Sequence, residues 1–188
     1  MTPETLISIF LGIGLSASVG FRVFVPLFAL SLAAYFNVWE LNESWQWIGS
    51  MTAVITLGVA TLVEIFAYYI PFVDNILDTI AIPLAAIAGT AVMVSTVADL
   101  SPVITWALAI IAGGGTAAAV AGSSGATRLA SSATTGGVGN PVVSTVETGS
   151  SVIMSILSIF IPYLAFFVVV LLLFIIYKFY KKIKRPKY

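Results

Sequence analysis

An all-α polytopic membrane bundle of four to six spans is the fold this sequence predicts, and three observations predict it. Of 188 residues, 60% are hydrophobic and only 9% charged, where a soluble domain carries roughly a quarter charged residues. Mean hydropathy is +1.09. Several uncharged apolar stretches reach about 20 residues, each long enough to cross a hydrocarbon core of ~30 Å. A single transmembrane domain, residues 1–177, accounts for almost the whole chain, and residues 178–188 form a basic tail.

The elements follow in order. Thr2-Pro3-Glu4 reads as a helix start: a hydroxyl N-cap, proline at the first helical position and an acid at the positive end of the dipole. With no positive n-region ahead of it, a cleaved signal is not expected. Leu6 to Phe36 is a 31-residue apolar stretch, ~46 Å as one straight helix and too long for the core. It must tilt, kink or break, and Gly12-Ile-Gly-Leu-Ser-Ala-Ser18-Val-Gly20, with Arg22 and Pro26 beyond, is where a break is expected.

Ile48 to Ile70 reads as a span interrupted by one acid, Glu64. Phe72 to Ile82, bounded by Pro71 and Pro83, is too short to cross and carries Asp74 and Asp78; Leu84 to Ala98 extends it toward another crossing. Asp99-Leu-Ser-Pro102 is a turn, and Val103 starts the next span. From 112 to 140, 24 of 29 residues are Gly, Ala, Ser or Thr. Small residues at four-residue spacing let helix backbones approach closely, so this segment is expected inside the bundle, a flexible linker being the competing reading. Asn140-Pro141 marks a further break, and Val152 to Tyr177 reads as a last span kinked at Pro162. Trp39, Trp45, Trp47, Tyr177 and Tyr180 fall near span ends, as interfacial anchors do.

Charge sets the orientation. Six of the eight Lys and Arg lie in the last eleven residues, and short basic flanks stay cytoplasmic. The C-terminus is therefore expected inside a plasma (inner) membrane, or inside an organelle membrane in a eukaryote. Lipid is the expected surroundings, an anionic lipid can engage the tail, and nucleic acid is not an expected partner. A chain this small also suits a homo-oligomer.

Only two positive residues lie outside the tail, Arg22 and Arg128, and both sit in small-residue segments at membrane depth. Such placement is costly unless each is paired or hydrated. Ser16-Ala-Ser18-Val-Gly-Phe-Arg22 and Gly122-Ser-Ser124-Gly-Ala-Thr-Arg128 align, and Glu43 and Glu147 follow at a similar offset. This suggests an inverted internal repeat, halves 1–100 and 101–177, whose broken or re-entrant helices meet near the midplane. Arg22, Arg128, Ser18 and Ser124 would then face a small organic anion or a lipid phosphate. Glu64, Asp74, Asp78 and Glu147 would be coupling or gating acids, for a proton or a cation, and Gly20, Pro71, Pro83, Asn140 and Pro141 the structural breaks. The competing reading pairs each arginine with a membrane acid and gives the charges a purely structural role.

Catalysis fares poorly. With no Cys and no His, thiolate, imidazole and zinc-thiolate chemistry are excluded, every lysine lies in the tail, and no cofactor is expected. Asp74 and Asp78 lie at i and i+4 on one helix, unlike an aspartyl dyad, and two carboxylates are a poor metal set.

These residues together resemble the small integral-membrane family known as domain of unknown function 4126. The resemblance rests on Gly20-Phe-Arg22 with Pro26; on Glu64 followed by Ile70-Pro71-Phe-Val-Asp74 and Asp78; on the Ala/Gly-rich run into Arg128; and on Thr135-Gly-Gly to Asn140-Pro141 with Ser144 and Glu147. Where that family often has an acid-lysine pair before the proline, this chain has Tyr68-Tyr69. The resemblance implies the fold class and the residue set, and no chemistry.

Overall fold

The computed structural model describes residues 2–98 and 100–183, and every regular element among them is helical. Asp99 of the expected turn, and Lys184, Arg185 and Lys187 of the tail, lie outside these residues. α1 spans Pro3–Val19, its first turn capped where Thr2 Oγ1 accepts the Thr5 N–H at 3.2 Å. α2 spans Phe24–Tyr35, a 3₁₀ helix Glu43–Gly49, and α3 Met51–Ala67. α4 spans Pro71–Thr96 and α5 Pro102–Leu108; a π-helical turn at Ala109–Gly114 joins α5 to α6, Gly115–Thr135. α7 spans Asn140–Phe160 and α8 Pro162–Ile183.

Four helical stretches are long and apolar enough to cross a bilayer: Ile76–Thr96, Pro102–Thr135, Asn140–Phe160 and Pro162–Lys182. The 3₁₀ helix and α3, bent by 65° at their junction, bring the total to as many as five when the bent pair is counted as one span. The chain is therefore a multi-pass membrane protein.

Contacts give each helix its direction. The α3–α4 and α6–α7 turns share one end of the bundle, where the Tyr69 hydroxyl meets Thr145 Oγ1 at 2.8 Å; we call this the near face. At the opposite, far face, Asn42 Nδ2 donates to Val97 O at 2.8 Å and Ser8 Oγ accepts the Ala98 N–H at 3.1 Å. α1 runs antiparallel to α4: Ser8 lies beside Ala98, and Ser16 Oγ donates to Gly89 O. α2 runs antiparallel to α3, since Ser31 Oγ donates to Ile48 O while the Val23 N–H donates to Glu64. Hence α1 descends from the far face, the chain breaks at residues 20–23, and α2 climbs back. The 31-residue stretch is a re-entrant hairpin with Arg22 at its tip.

Close helix crossings explain part of the glycine content. A Cβ on Gly89 would come within 2.9 Å of Gly113 O, and one on Gly113 within 2.7 Å of Gly89 O, so α4 and the π turn pack backbone to backbone. Gly136 and Gly137, with φ of 64° and 89°, end α6 in the left-handed region that favours glycine.

Several expectations need correction. The break falls at Gly20–Val23, and α1 is continuous through Gly12 and Gly14. Pro83 breaks nothing: α4 passes through it, and membrane helices tolerate proline where neighbours re-satisfy the backbone. Phe72 to Ile82 is accordingly the near part of one 26-residue helix. Val152 to Tyr177 is two helices rather than one kinked span: α7 ends at Phe160, and Pro162 starts α8 on its return to the near face. The small-residue segment is buried on one face only, through Thr116, Ala117, Val120, Ala121 and Arg128, while Leu129 is 74% exposed. Arg22 sits at a chain break and Arg128 inside a continuous helix, so the two similar sequence contexts adopt different backbones.

Candidate functional site: a buried charge cluster at the hairpin tip

Helix geometry sets the depth of the site. Asp78 lies seven residues into α4, Glu147 seven into α7, and Arg128 seven before the end of α6. At 1.5 Å per residue all three sit ~10 Å inside the near face. Glu64, one turn from the end of α3, and Arg22, at the hairpin tip, complete the ring.

Glu147 is the hub. Its Oε2 accepts Arg22 Nη1 at 3.0 Å and also Arg128 Nη2, and its Oε1 accepts the Ser124 hydroxyl and Arg128 Nε, the last at 3.2 Å. Arg22 is further held by Thr148 Oγ1 at 3.1 Å and by Ser144 O at 3.0 Å. Arg128 Nη1 pairs with Asp74 Oδ1, and Arg128 Nη2 donates to Ser144 Oγ at 3.1 Å. Asn140 Nδ2 donates to the other Asp74 oxygen at 3.2 Å. Both arginines are 2% exposed, so these charge-assisted bonds act away from water.

Asp78 is held loosely. Among the described residues its one ion pair is to Arg128 Nε at 3.7 Å, and its side chain is 25% exposed. Glu64 has a different role. Its oxygens accept the backbone N–H groups of Val23 at 2.7 Å and Phe24 at 2.9 Å, capping α2 with a carboxylate from another helix.

Tyr68 packs against both arginines and was noted in the sequence only as a departure from the family pattern, not as a site residue. The Arg22 and Arg128 guanidinium carbons lie 3.9 and 4.4 Å from its ring centroid, which holds the two charges within ~8 Å of each other, the scale of a small-ligand site. Thr148 was missed too, and Ser144 entered only through the family resemblance. Their signal was spacing: Tyr68 is at i+4 from Glu64, and Ser144 at i−3 from Glu147, on the same helix faces.

Of the expected binding residues, Arg22, Arg128 and Ser124 come together. Ser18 does not join them: its hydroxyl is committed to Ser151 O at 2.7 Å and Ser155 Oγ at 2.7 Å, fastening α1 to α7. Of the expected breaks, Gly20 closes α1, Pro71 opens α4, and Asn140-Pro141 open α7.

Three voids adjoin the cluster. A cavity of about 20 Å³, room for about one water, lies among Arg22, Glu64, Tyr68, Asp78, Arg128 and Glu147. A vestibule of about 540 Å³ opens at the near face over Tyr68, Asp74 and Asn140. An apolar groove of about 340 Å³ runs between α6, α7 and α8 and reaches Ser124 and Glu147. No group of three acids positioned to hold a metal ion occurs among the described residues.

A family profile matches the chain over residues 9–182, a range that contains every residue of the cluster. The chain belongs to the family described as domain of unknown function, DUF4126. Membership fixes no activity. No curated protein and no solved structure matches the chain.

Proposed function

We propose that this DUF4126 protein is a small transporter or channel-like protein for an anionic solute or a lipid headgroup, coupled to protons. One observation carries the reading: an arginine at the hairpin tip and an arginine and a serine hydroxyl from α6 converge on a single carboxylate, Glu147, between a polar vestibule and the tip of a re-entrant hairpin. Glu147 holds the seat an incoming carboxylate or phosphate would take. Glu64 does the same at the α2 N-terminus, where backbone N–H groups are ready to bind an anion. Protonating Glu147 through the central cavity that it lines would remove its charge and release Arg22 and Arg128 to the substrate. Proton uptake and anion binding are then one event. Arg22 and Arg128 are the binding positives; Asp74 and Asp78, beside the vestibule and the cavity, relay the proton. The basic end of α8 and the vestibule share the near face, which the positive-inside rule makes cytoplasmic.

A second reading has its own observation. Every fully buried side-chain nitrogen and oxygen among the described residues has a hydrogen-bond partner, as in a scaffold whose ion pairs only lock the bundle. Flux of small carboxylates and phosphate into liposomes, normalised to folded protein, separates the two. Arg22→Lys keeps the charge but loses the fork. Lost flux at unchanged folded yield supports transport. No flux from the unaltered protein for any anion or proton gradient supports the scaffold.

A further inference from the structure

The apolar groove and the charge cluster are joined. Phe21, Ser124 and Glu147 line both the groove and the central cavity, and Tyr68 lines both the cavity and the vestibule. The groove wall is made by Val142 and Val146 of α7 and Leu172 and Ile176 of α8. Val142 and Val146 are 67% and 63% exposed, so the groove opens on the outer surface of the bundle, and its inner end is Glu147 with the donors that hold it.

We propose that this groove is a binding site for a long-chain carboxylate drawn from the bilayer, its chain along α7 and α8 and its carboxylate in the cradle that Glu147 now fills. The inference rests on the transport reading above and narrows its substrate to an amphiphile. Two observations fix the occupant. The groove's volume, about 340 Å³, is within the range of small-ligand sites, ~300–1,000 Å³. The cradle of Arg22 Nη1, Arg128 Nε and Nη2 and the Ser124 hydroxyl already encloses a carboxylate, so its geometry suits another. A ligand with a bare chain would leave that cradle unused, and a short carboxylate would leave the groove unused.

Photolabelling in liposomes tests this with a diazirine-bearing long-chain carboxylic acid and its methyl ester, the labelled peptides being mapped by mass spectrometry. The acid is expected to label residues 142–146 and 172–176 well above the lipid-facing α3 residues Ile55 and Phe66, which are 56% and 67% exposed; the ester is expected to label all of them alike. Val146→Trp or Leu172→Trp should abolish groove labelling and leave the α3 signal unchanged. Each fills the groove from a different helix, so a folding defect in one leaves the other as the test. Equal labelling by acid and ester, or no effect of either tryptophan, overturns the inference. Flux of short-chain carboxylates reports separately on the transport reading: if it persists in Val146→Trp and fails in Arg22→Lys, that reading stands whatever the labelling shows.

Discussion

The Glu64 carboxylate caps a helix other than its own, accepting the Val23 N–H at 2.7 Å across 41 residues of sequence. The start of α2 therefore depends on α3. With Phe24 N–H on the second oxygen, both backbone donors at the start of α2 are held by one charged group. Glu64→Gln leaves a single acceptor and should cost about 1.5–3 kcal/mol, the range for a hydrogen bond to a charged group. Thermal unfolding in detergent measures this. A change below a few tenths of a kcal/mol would mean that the cap does not hold the tip.

The two arginines should differ in stability cost. Arg22→Ala leaves Glu147 paired with Arg128, whereas Arg128→Ala leaves Asp74 without its ion pair and Glu147 with only Arg22. Removing one partner of a buried pair costs about 3–5 kcal/mol. Arg128→Ala should reach that range and Arg22→Ala fall below it, by the same unfolding measurement.

Tyr68 acts through its ring. Tyr68→Phe keeps a face for both guanidiniums and should change stability little. Tyr68→Ala removes two cation–π contacts, each worth about 0.5–2 kcal/mol, and opens the wall between vestibule and cavity. Equal melting temperatures for the two variants would remove the ring from the account.

Glycines divide into two groups. Gly89→Ala or Gly113→Ala forces a Cβ against backbone and should destabilise by about 1–3 kcal/mol. Gly115→Ala and Gly125→Ala have nothing within 4 Å and should be neutral or stabilising by up to ~1 kcal/mol.

Topology is open to direct labelling because the chain contains no cysteine. Val38, 49% exposed beside the far end of α2, and Val138, 82% exposed in the α6–α7 turn, lie at opposite faces. In intact cells an impermeant maleimide should modify Val38→Cys, and should modify Val138→Cys only after permeabilisation. Labelling of both from one side would refute the five-crossing arrangement.

Much of this was legible in the sequence. A 31-residue apolar stretch cannot cross straight, so length demanded a tilt, kink or break, and the small-residue run ahead of Arg22 placed a break there, with only its end at Gly20 matching where the chain turns. Arg22, Arg128, Asp74 and Glu147 stood out because charge at membrane depth needs a partner. Which acid served which arginine was not legible, since the Arg22–Glu147 contact spans 125 residues and depends on how α1 meets α7. The Pro83 and Pro162 readings failed for a common reason. Proline removes a donor and fixes φ, but neighbouring helices decide whether the chain continues, as at Pro83, or reverses, as at Pro162. Tyr68 was legible only as a departure from the family pattern, because nothing in the sequence says that two guanidiniums will meet its ring.

The hairpin enters and leaves by the far face and its tip stops ~10 Å short of the near face, so α1 and α2 add cross-section to the far side of the bundle that its near end lacks. The protein thus displaces more lipid from one monolayer than from the other. Any motion that withdraws the tip from Glu147 changes that imbalance, and so links the ion-pair network to the lateral pressure of the bilayer.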